Sequence, residues 1–169
     1  IYDVPFLWLL GMQNVNHGLW AVAVLSAQDL FKTYHEIDPA EMAIFMSIIH
    51  LPWCFKIIYG MLSDNVEFCG TKRKSYLILM GVVQFVALMT MFIFKDMPPM
   101  AVALVLMTAS FSEAFVNVVA DAIMVVQARR DPESGAQDLI AYSWIAIGFG
   151  GIIGALFAGY MTENFHPRW

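Results

Sequence analysis

Five stretches of this 169-residue chain are apolar for long enough to cross a lipid bilayer, and that property decides most of what the chain can fold into. A hydrocarbon core ~30 Å thick takes about 20 mostly apolar helical residues, somewhat more when the helix tilts. Hydropathy windowing places the stretches at roughly residues 6–30, 42–62, 76–94, 100–126 and 139–161. Turn and charge signals separate them, namely Asp38-Pro39, the loop from Asp64 to Ser75, Pro98-Pro99, and Arg130-Asp131-Pro132. The short Pro98-Pro99 connection makes the third and fourth stretches a tight helical hairpin. Barrel strands are shorter and alternate in polarity, and no segment here does so. The expected fold is an all-α integral membrane domain with five transmembrane helices.

Composition closes the other routes. The chain is 60% hydrophobic and 14% charged, with a mean hydropathy of +0.66. An average soluble domain is about a quarter charged, and large exposed apolar patches are rare on soluble monomers. A net charge of −5 with 9 Lys and Arg argues against nucleic acid as a partner. Two cysteines, Cys54 and Cys69, cannot make a secreted disulfide scaffold. Disorder needs low hydrophobicity, the opposite of what is present. The sequence starts at Ile1 rather than Met, shows no signal peptide, and stops at Trp169 straight after an apolar run, so it reads as a piece of a longer chain.

Basic residues in short loops set the expected orientation. Lys72, Arg73 and Lys74 follow the second stretch, and Arg129 and Arg130 follow the fourth. These two loops, residues 64–75 and 127–138, share one side, against Lys32, Lys95 and Arg168 on the other. The basic loops are assigned to the cytoplasm, and the N-terminus with them.

Polar groups inside a span are expensive, at about 2.5–3.5 kcal/mol for an ionisable one on insertion scales, so each is a candidate for function. The first stretch holds Gln13, Asn14, Asn16 and His17; the second holds His50 and Lys56; the third holds Gln84; the fourth holds Glu113, Asn117 and Asp121. Glu113, Asn117 and Asp121 recur every four residues and form a stripe on one helix face, as do Gln13, Asn16 and His17 at i, i+3 and i+4. Two such stripes are satisfied either by facing an aqueous cavity or by hydrogen bonds between helices. His17, His50 and Glu113 fall near the midplane, where transporter sites lie and where a histidine or a buried carboxyl can carry a proton. His50 is equally well explained by donation to a backbone carbonyl. Lys56 and Asp121 sit at similar depth, ~10 Å from the same face, so they can form an ion pair, structural or gating. Pro52 removes a backbone donor and deprives the Ile48 carbonyl of its helical partner, favouring a kink beside His50. The fifth stretch carries two small-residue rows, Gly150, Gly154, Ala158 and Gly151, Ala155, Gly159, which mark a close helix–helix interface. No metal-binding cluster or nucleophile–base pair stands out, so neither a cofactor nor an enzyme activity is expected.

The most specific local word is Gly60-Met61-Leu62-Ser63-Asp64 followed by Gly70-Thr71-Lys72-Arg73-Lys74. An acid at a helix C-terminus opposes the macrodipole, so Asp64 needs a partner, from a neighbouring helix N-terminus or from the nearby cations. The word resembles the loop between the second and third helices of the major facilitator superfamily. With Asp38-Pro39-Ala40-Glu41, the run Leu51-Pro52-Trp53-Cys54-Phe55-Lys56-Ile57-Ile58-Tyr59-Gly60, Lys72-Arg73-Lys74-Ser75-Tyr76-Leu77, Ala120-Asp121-Ala122 and the approach from Gly135 to Trp144, nearly the whole chain resembles the folate–biopterin transporter family. It departs from that family's pattern at Ile57, where a proline is usual, at Asn117, where an acid is, and at the neutral Val126-Gln127.

The resemblance implies a secondary transporter of twelve helices in two halves, this chain being helices one to five of the first half, with the C-terminal half of the same protein as its partner. It implies alternating-access, proton-coupled transport of a folate or pterin, for which the in-span polar residues Gln13, Asn16, His17, His50, Glu113 and Asn117 are the candidate substrate contacts. Glu113, Lys56 and Asp121 would serve proton coupling or an ion pair, and Gly60, Ser63, Asp64, Gly70, Lys72 and Arg73 would form the conformational loop. A pterin ring offers adjacent N–H donors that a carboxylate accepts in bidentate fashion, which suits Glu113, while Lys56 or a protonated histidine suits a substrate carboxylate. Trp20 and Trp53 fit ring stacking or interfacial anchoring alike. The competing readings are a major facilitator for another small organic solute and, from a different class, a channel or structural membrane subunit.

Overall fold

Pro39, Pro52, Pro98-Pro99 and Pro132 punctuate a chain that is otherwise almost continuous helix. The computed structural model describes residues 2–68, 70–94 and 96–164, so Cys69, Lys95 and Arg168 lie outside the described residues. Helix α1 spans Val4–Asp29 and runs into a π-helical turn, Leu30–Tyr34. Helix α2 covers Pro39–His50, a 3₁₀ turn follows at Leu51–Phe55, and α3 covers Lys56–Asn65. Then come α4 (Lys74–Ile93), α5 (Pro99–Ala128) and α6 (Gly135–Asn164). Among the described residues the one β pairing is an isolated bridge between Phe68 and Thr71.

Four of these spans are long and apolar enough to cross a membrane: Pro39–Asn65, Lys74–Ile93, Pro99–Ala128 and Gly135–Met161. Helix α1 is not among the four. Its 26 residues reach about 39 Å, ample for a crossing, but Gln13, Asn14, Asn16 and His17 lower its apolarity.

The break in the second span has a local cause. Pro52 has no N–H to give, and the helix responds by tightening. Leu51 N–H donates to the Ile48 carbonyl, so that oxygen keeps a partner three residues away rather than four. Five residues of 3₁₀ geometry follow before α-helix resumes at Lys56.

Helices outrun their apolar windows at both basic loops. Helix α3 continues to Asn65 and α6 starts at Gly135, which leaves connections of residues 66–73 and 129–134. In the first, Phe68 and Thr71 exchange backbone hydrogen bonds of 3.2 Å, and Gly70 takes φ +76°, a left-handed value that side chains disfavour. In the second, Asp131 accepts from the backbone N–H of Glu133 (3.2 Å) and Ser134 (3.4 Å) and from the Ser134 hydroxyl (2.9 Å), turning the chain into α6.

The described helices gather into two compact units. One holds α1 up to Ala27 together with the chain from Ala120 onward. Glycine governs its packing. A Cβ on Gly18 would come within 2.6 Å of Gly151 N and 2.9 Å of Gly150 C, and one on Gly150 within 3.0 Å of Val15 Cα. Gly154 fits against Leu19 and Val22, and Ala158 is buried, so the row Gly150, Gly154, Ala158 faces α1. The second row diverges: Gly151 meets Gly18, whereas Ala155 and Gly159 are exposed. Tyr142 donates to the Leu7 carbonyl at 3.1 Å across Gly11, and Arg130 pairs with Asp3 at 3.0 Å.

The other unit runs from Gln28 to Val119. Among the four membrane-length spans α5 is the most buried: 67% of its most apolar window is buried, against 22% or less in the other three. Every residue from Ser112 to Asn117 is buried, so burial here is not confined to one face of the helix. Phe115 stacks on Tyr59 of α3 and on Tyr76 of α4, each with ring centroids 5.3 Å apart, and these contacts tie three helices together.

Candidate functional site

Ser110, Glu113 and Asn117 lie at i, i+3 and i+7 of α5, hence on one face, and all three are buried. Each meets a polar side chain from another element of the same unit. Gln84 of α4 donates its amide N–H to Glu113 Oε2 at 3.1 Å. Trp53 of the 3₁₀ turn donates its indole N–H to Ser110 Oγ at 3.1 Å. Lys56, the first residue of α3, donates to Asn117 Oδ1 at 2.6 Å. Its ammonium also lies 4.5 Å from the centroid of the Trp53 ring, within cation–π range.

The backbone explains the convergence. Pro52 forces a 3₁₀ turn, and that turn places Trp53 and Lys56 three residues apart on one edge, both reaching α5. Glu113 is fully enclosed, with no accessible surface. A carboxyl at such a position needs hydrogen-bond donors in either protonation state, and Gln84 supplies one.

His50 is exposed, and its Nδ1 lies 2.8 Å from the Met46 carbonyl. A carbonyl only accepts, so Nδ1 carries the proton, which is the backbone-donation reading of this histidine. In the first unit, Asn14 is buried and satisfied by the Leu10 carbonyl of its own helix at 2.8 Å. Gln13, Asn16 and His17 are half-buried and each is engaged by a neighbouring group; Asp121 is exposed and likewise engaged. Trp20 is buried, and its indole N–H has no hydrogen-bond partner among the described residues.

In the loop after α3, Arg73 supplies the partner that Asp64 needs, at 2.8 Å from Nη2 and 3.1 Å from Nε. Ser63 is buried and donates to the Gly60 carbonyl at 3.0 Å. A Cβ on Gly60 would sit 3.4 Å from Val118 Cγ1, an ordinary van der Waals contact between α3 and α5. Lys72 approaches Glu67 at 3.8 Å with both side chains more than half exposed, a pair of little energetic weight. Outside the spans, burial pushes the His35 pKa down, and the Ser134 hydroxyl and backbone N–H hold Asp131 below the ordinary carboxylate value.

Two partners escape a reading of spacing alone. Ser110 extends the α5 stripe by one turn and was visible as a small polar residue, yet nothing in its position marks Trp53 as its donor. Gln84 stands out as the polar residue of α4, but its pairing with Glu113 depends on how α4 and α5 are rotated about their axes.

Four apolar helices of membrane-crossing length define an integral, multi-pass membrane protein. The chain belongs to the BT1 family, which matches residues 17–169. It is 28% identical over 167 residues to "Probable folate-biopterin transporter 4" of Arabidopsis thaliana, covering 96% of this chain and 34% of the relative. It is 29% identical over 168 residues to the "Folate-biopterin transporter" of Synechocystis sp., covering 98% and 34%. "Folate transporter 2" of Plasmodium falciparum is 24% identical over 162 residues, covering 96% and 34%. The chain thus spans about a third of the length of these curated relatives. No solved structure matches it significantly.

Proposed function

We propose that the protein to which this chain belongs is a secondary active transporter of folate- or biopterin-type pterins, working by alternating access as a proton symporter. The observations that carry the reading are the family match over residues 17–169 and the likeness to proteins named as folate–biopterin transporters in Arabidopsis thaliana and Synechocystis sp.. The buried polar face of α5 supports it, because a carboxyl enclosed at Glu113 inside a membrane-crossing helix is costly unless used.

In this reading α1 is a fifth crossing, the chain forms most of one half of a major-facilitator fold, and its N-terminus is cytoplasmic. Glu113 accepts the paired N–H donors of the pterin ring, with Gln13, Asn16, His17, His50 and Asn117 as further contacts. Glu113, Lys56 and Asp121 serve proton coupling or an ion pair. The loop built on Gly60, Ser63, Asp64, Gly70, Lys72 and Arg73 changes partners as the transporter switches face.

Uptake of labelled folate and biopterin by cells expressing the intact protein, with and without Glu113→Gln, tests this. The expected result is saturable, pH-dependent uptake in the wild type and loss of both uptake and pH dependence in the variant. Unchanged uptake with an unchanged pH profile removes Glu113 from the mechanism. Saturable uptake of unrelated solutes in competition with folate favours a broader facilitator.

A further inference from the structure

Lys56 is a cation in an unusual setting. It lies nine residues before the end of α3, about 14 Å of helix from Asn65, within a membrane-crossing span. Among the described residues its contacts are the Asn117 amide oxygen at 2.6 Å and the Trp53 ring at 4.5 Å, both neutral groups, and neither cancels its charge. Its place in the first turn of α3 adds to the difficulty, since a helix start already carries partial positive charge. Charges at membrane depth are normally paired with opposite ones or serve a ligand.

The surroundings are built rather than incidental. Trp53 is fixed by its bond to Ser110, and Asn117 is buried, so the ammonium is held from two sides. An ammonium has three donors and Asn117 takes one. The side chain is only half-buried, which leaves part of it open to an incoming group.

We infer that Lys56 binds a carboxylate of the transported solute, so that this site selects pterins bearing an anionic tail over neutral pterins. Asn117 and the Trp53 face act as positioning groups that hold the ammonium in place until the anion arrives. The inference rests on the pterin-transport reading above and specifies which members of that class the site takes.

Three versions of the intact protein decide it: wild type, Lys56→Gln and Lys56→Arg, each assayed for uptake of folate, which carries a glutamate tail, and of biopterin, which carries no carboxylate. The expected result is a rise of about ten- to a hundredfold in the apparent KM for folate in Lys56→Gln, the effect of losing a charged hydrogen bond. Biopterin KM stays within about twofold in the same variant, and Lys56→Arg restores most folate uptake. Equal loss of both substrates overturns the inference, whether the variant misfolds or fails to switch, because the role would then be structural. An unchanged folate KM overturns it too. A wild type that moves neither solute fails the pterin reading instead. The Lys56 inference is then read from the thermal stabilisation of the purified protein by p-aminobenzoylglutamate and by its diamide: stabilisation by the acid alone, lost in Lys56→Gln, upholds it, and equal or absent stabilisation by the two overturns it.

Discussion

Arg73 donates from both Nε and Nη2 to a single oxygen of Asp64, and each of the two charges is misplaced with respect to its own helix. Asp64 lies in the last turn of α3, where the dipole is negative; Arg73 stands at the N-cap of α4, where it is positive. Each is tolerated because of the other. The pair therefore joins two helix ends that would both be better off with the signs reversed.

Reversal is a direct check. The double variant Asp64→Arg with Arg73→Asp is expected to be at least as stable as the wild type, by up to roughly 1 kcal/mol, since both charges then oppose their helix dipoles favourably. Either single change should lower stability by about 1 kcal/mol or less, the pair being partly exposed. Thermal unfolding of the purified variants measures this, and a double variant less stable than both singles refutes the dipole argument. Loss of uptake in a stable double variant would separate conformational use of the pair from its contribution to folding.

Two glycines of similar sequence setting should behave oppositely. Gly18→Ala drives a methyl into the backbone of α6 around Gly150 and Gly151 and should cost about 1–3 kcal/mol. Gly159→Ala meets nothing within 4 Å and should be neutral or up to about 1 kcal/mol stabilising through helix propensity. Unfolding midpoints in detergent compare them, and equal effects would contradict the packing described for α1 and α6.

The two tryptophans make a similar contrast. Trp53→Phe removes the donor to Ser110 inside the protein, a loss of about 0.5–1.5 kcal/mol beyond that of ring volume. Trp20→Phe removes an indole N–H that has no partner among the described residues, so only the volume is lost. Trp53→Phe should therefore unfold at a lower temperature than Trp20→Phe, and the reverse order would overturn the assignment.

Two groups outside the spans contribute to the acid side of stability. Burial lowers the His35 pKa below 6.5, so the unfolded chain takes up its proton first. Stability should then fall as pH drops from above 6.5 through the folded value, and His35→Gln should flatten that stretch. Asp131 is held below 3.8 by Ser134, so its contribution is present above that pH and disappears as pH falls through the lower folded value. Ser134→Ala should reduce it. Unfolding midpoints measured across pH 3 to 8, roughly the range these groups cover, show both limbs.

Much of this was legible in the sequence, for reasons that differ by element. The apolar runs of α2 to α6 are long enough that no soluble arrangement competes, and Pro52 announces a break wherever a helix crosses it. The cations after α3 were visible as partners for Asp64, but the choice of Arg73 over the N-terminus of a neighbouring helix depends on the turn that Gly70 makes. Depth along the helix marked Lys56 as a cation at the level of the lower α5 stripe, but not which residue of that stripe it meets; the ammonium donates to Asn117. Depth fixes only one coordinate of a side chain; the azimuth depends on local winding, which the 3₁₀ turn alters. Gln84 and Glu113 illustrate the same gap, since their meeting is a fact about two helices at once.

That winding has a further effect on α2 and α3. A 3₁₀ turn advances ~120° per residue against ~100° in an α-helix, so five such residues shift the phase of everything after them by about 100° and lengthen the span by ~2.5 Å. In an unbroken α-helix Tyr59 would point about 80° away from Ile49; with the turn the two lie within about 20°. Ile49 and Tyr59 are the buried residues on either side of the break. Pro52 thus works as an angular spacer, bringing two helical segments whose sequences are out of phase into a single inward-facing edge.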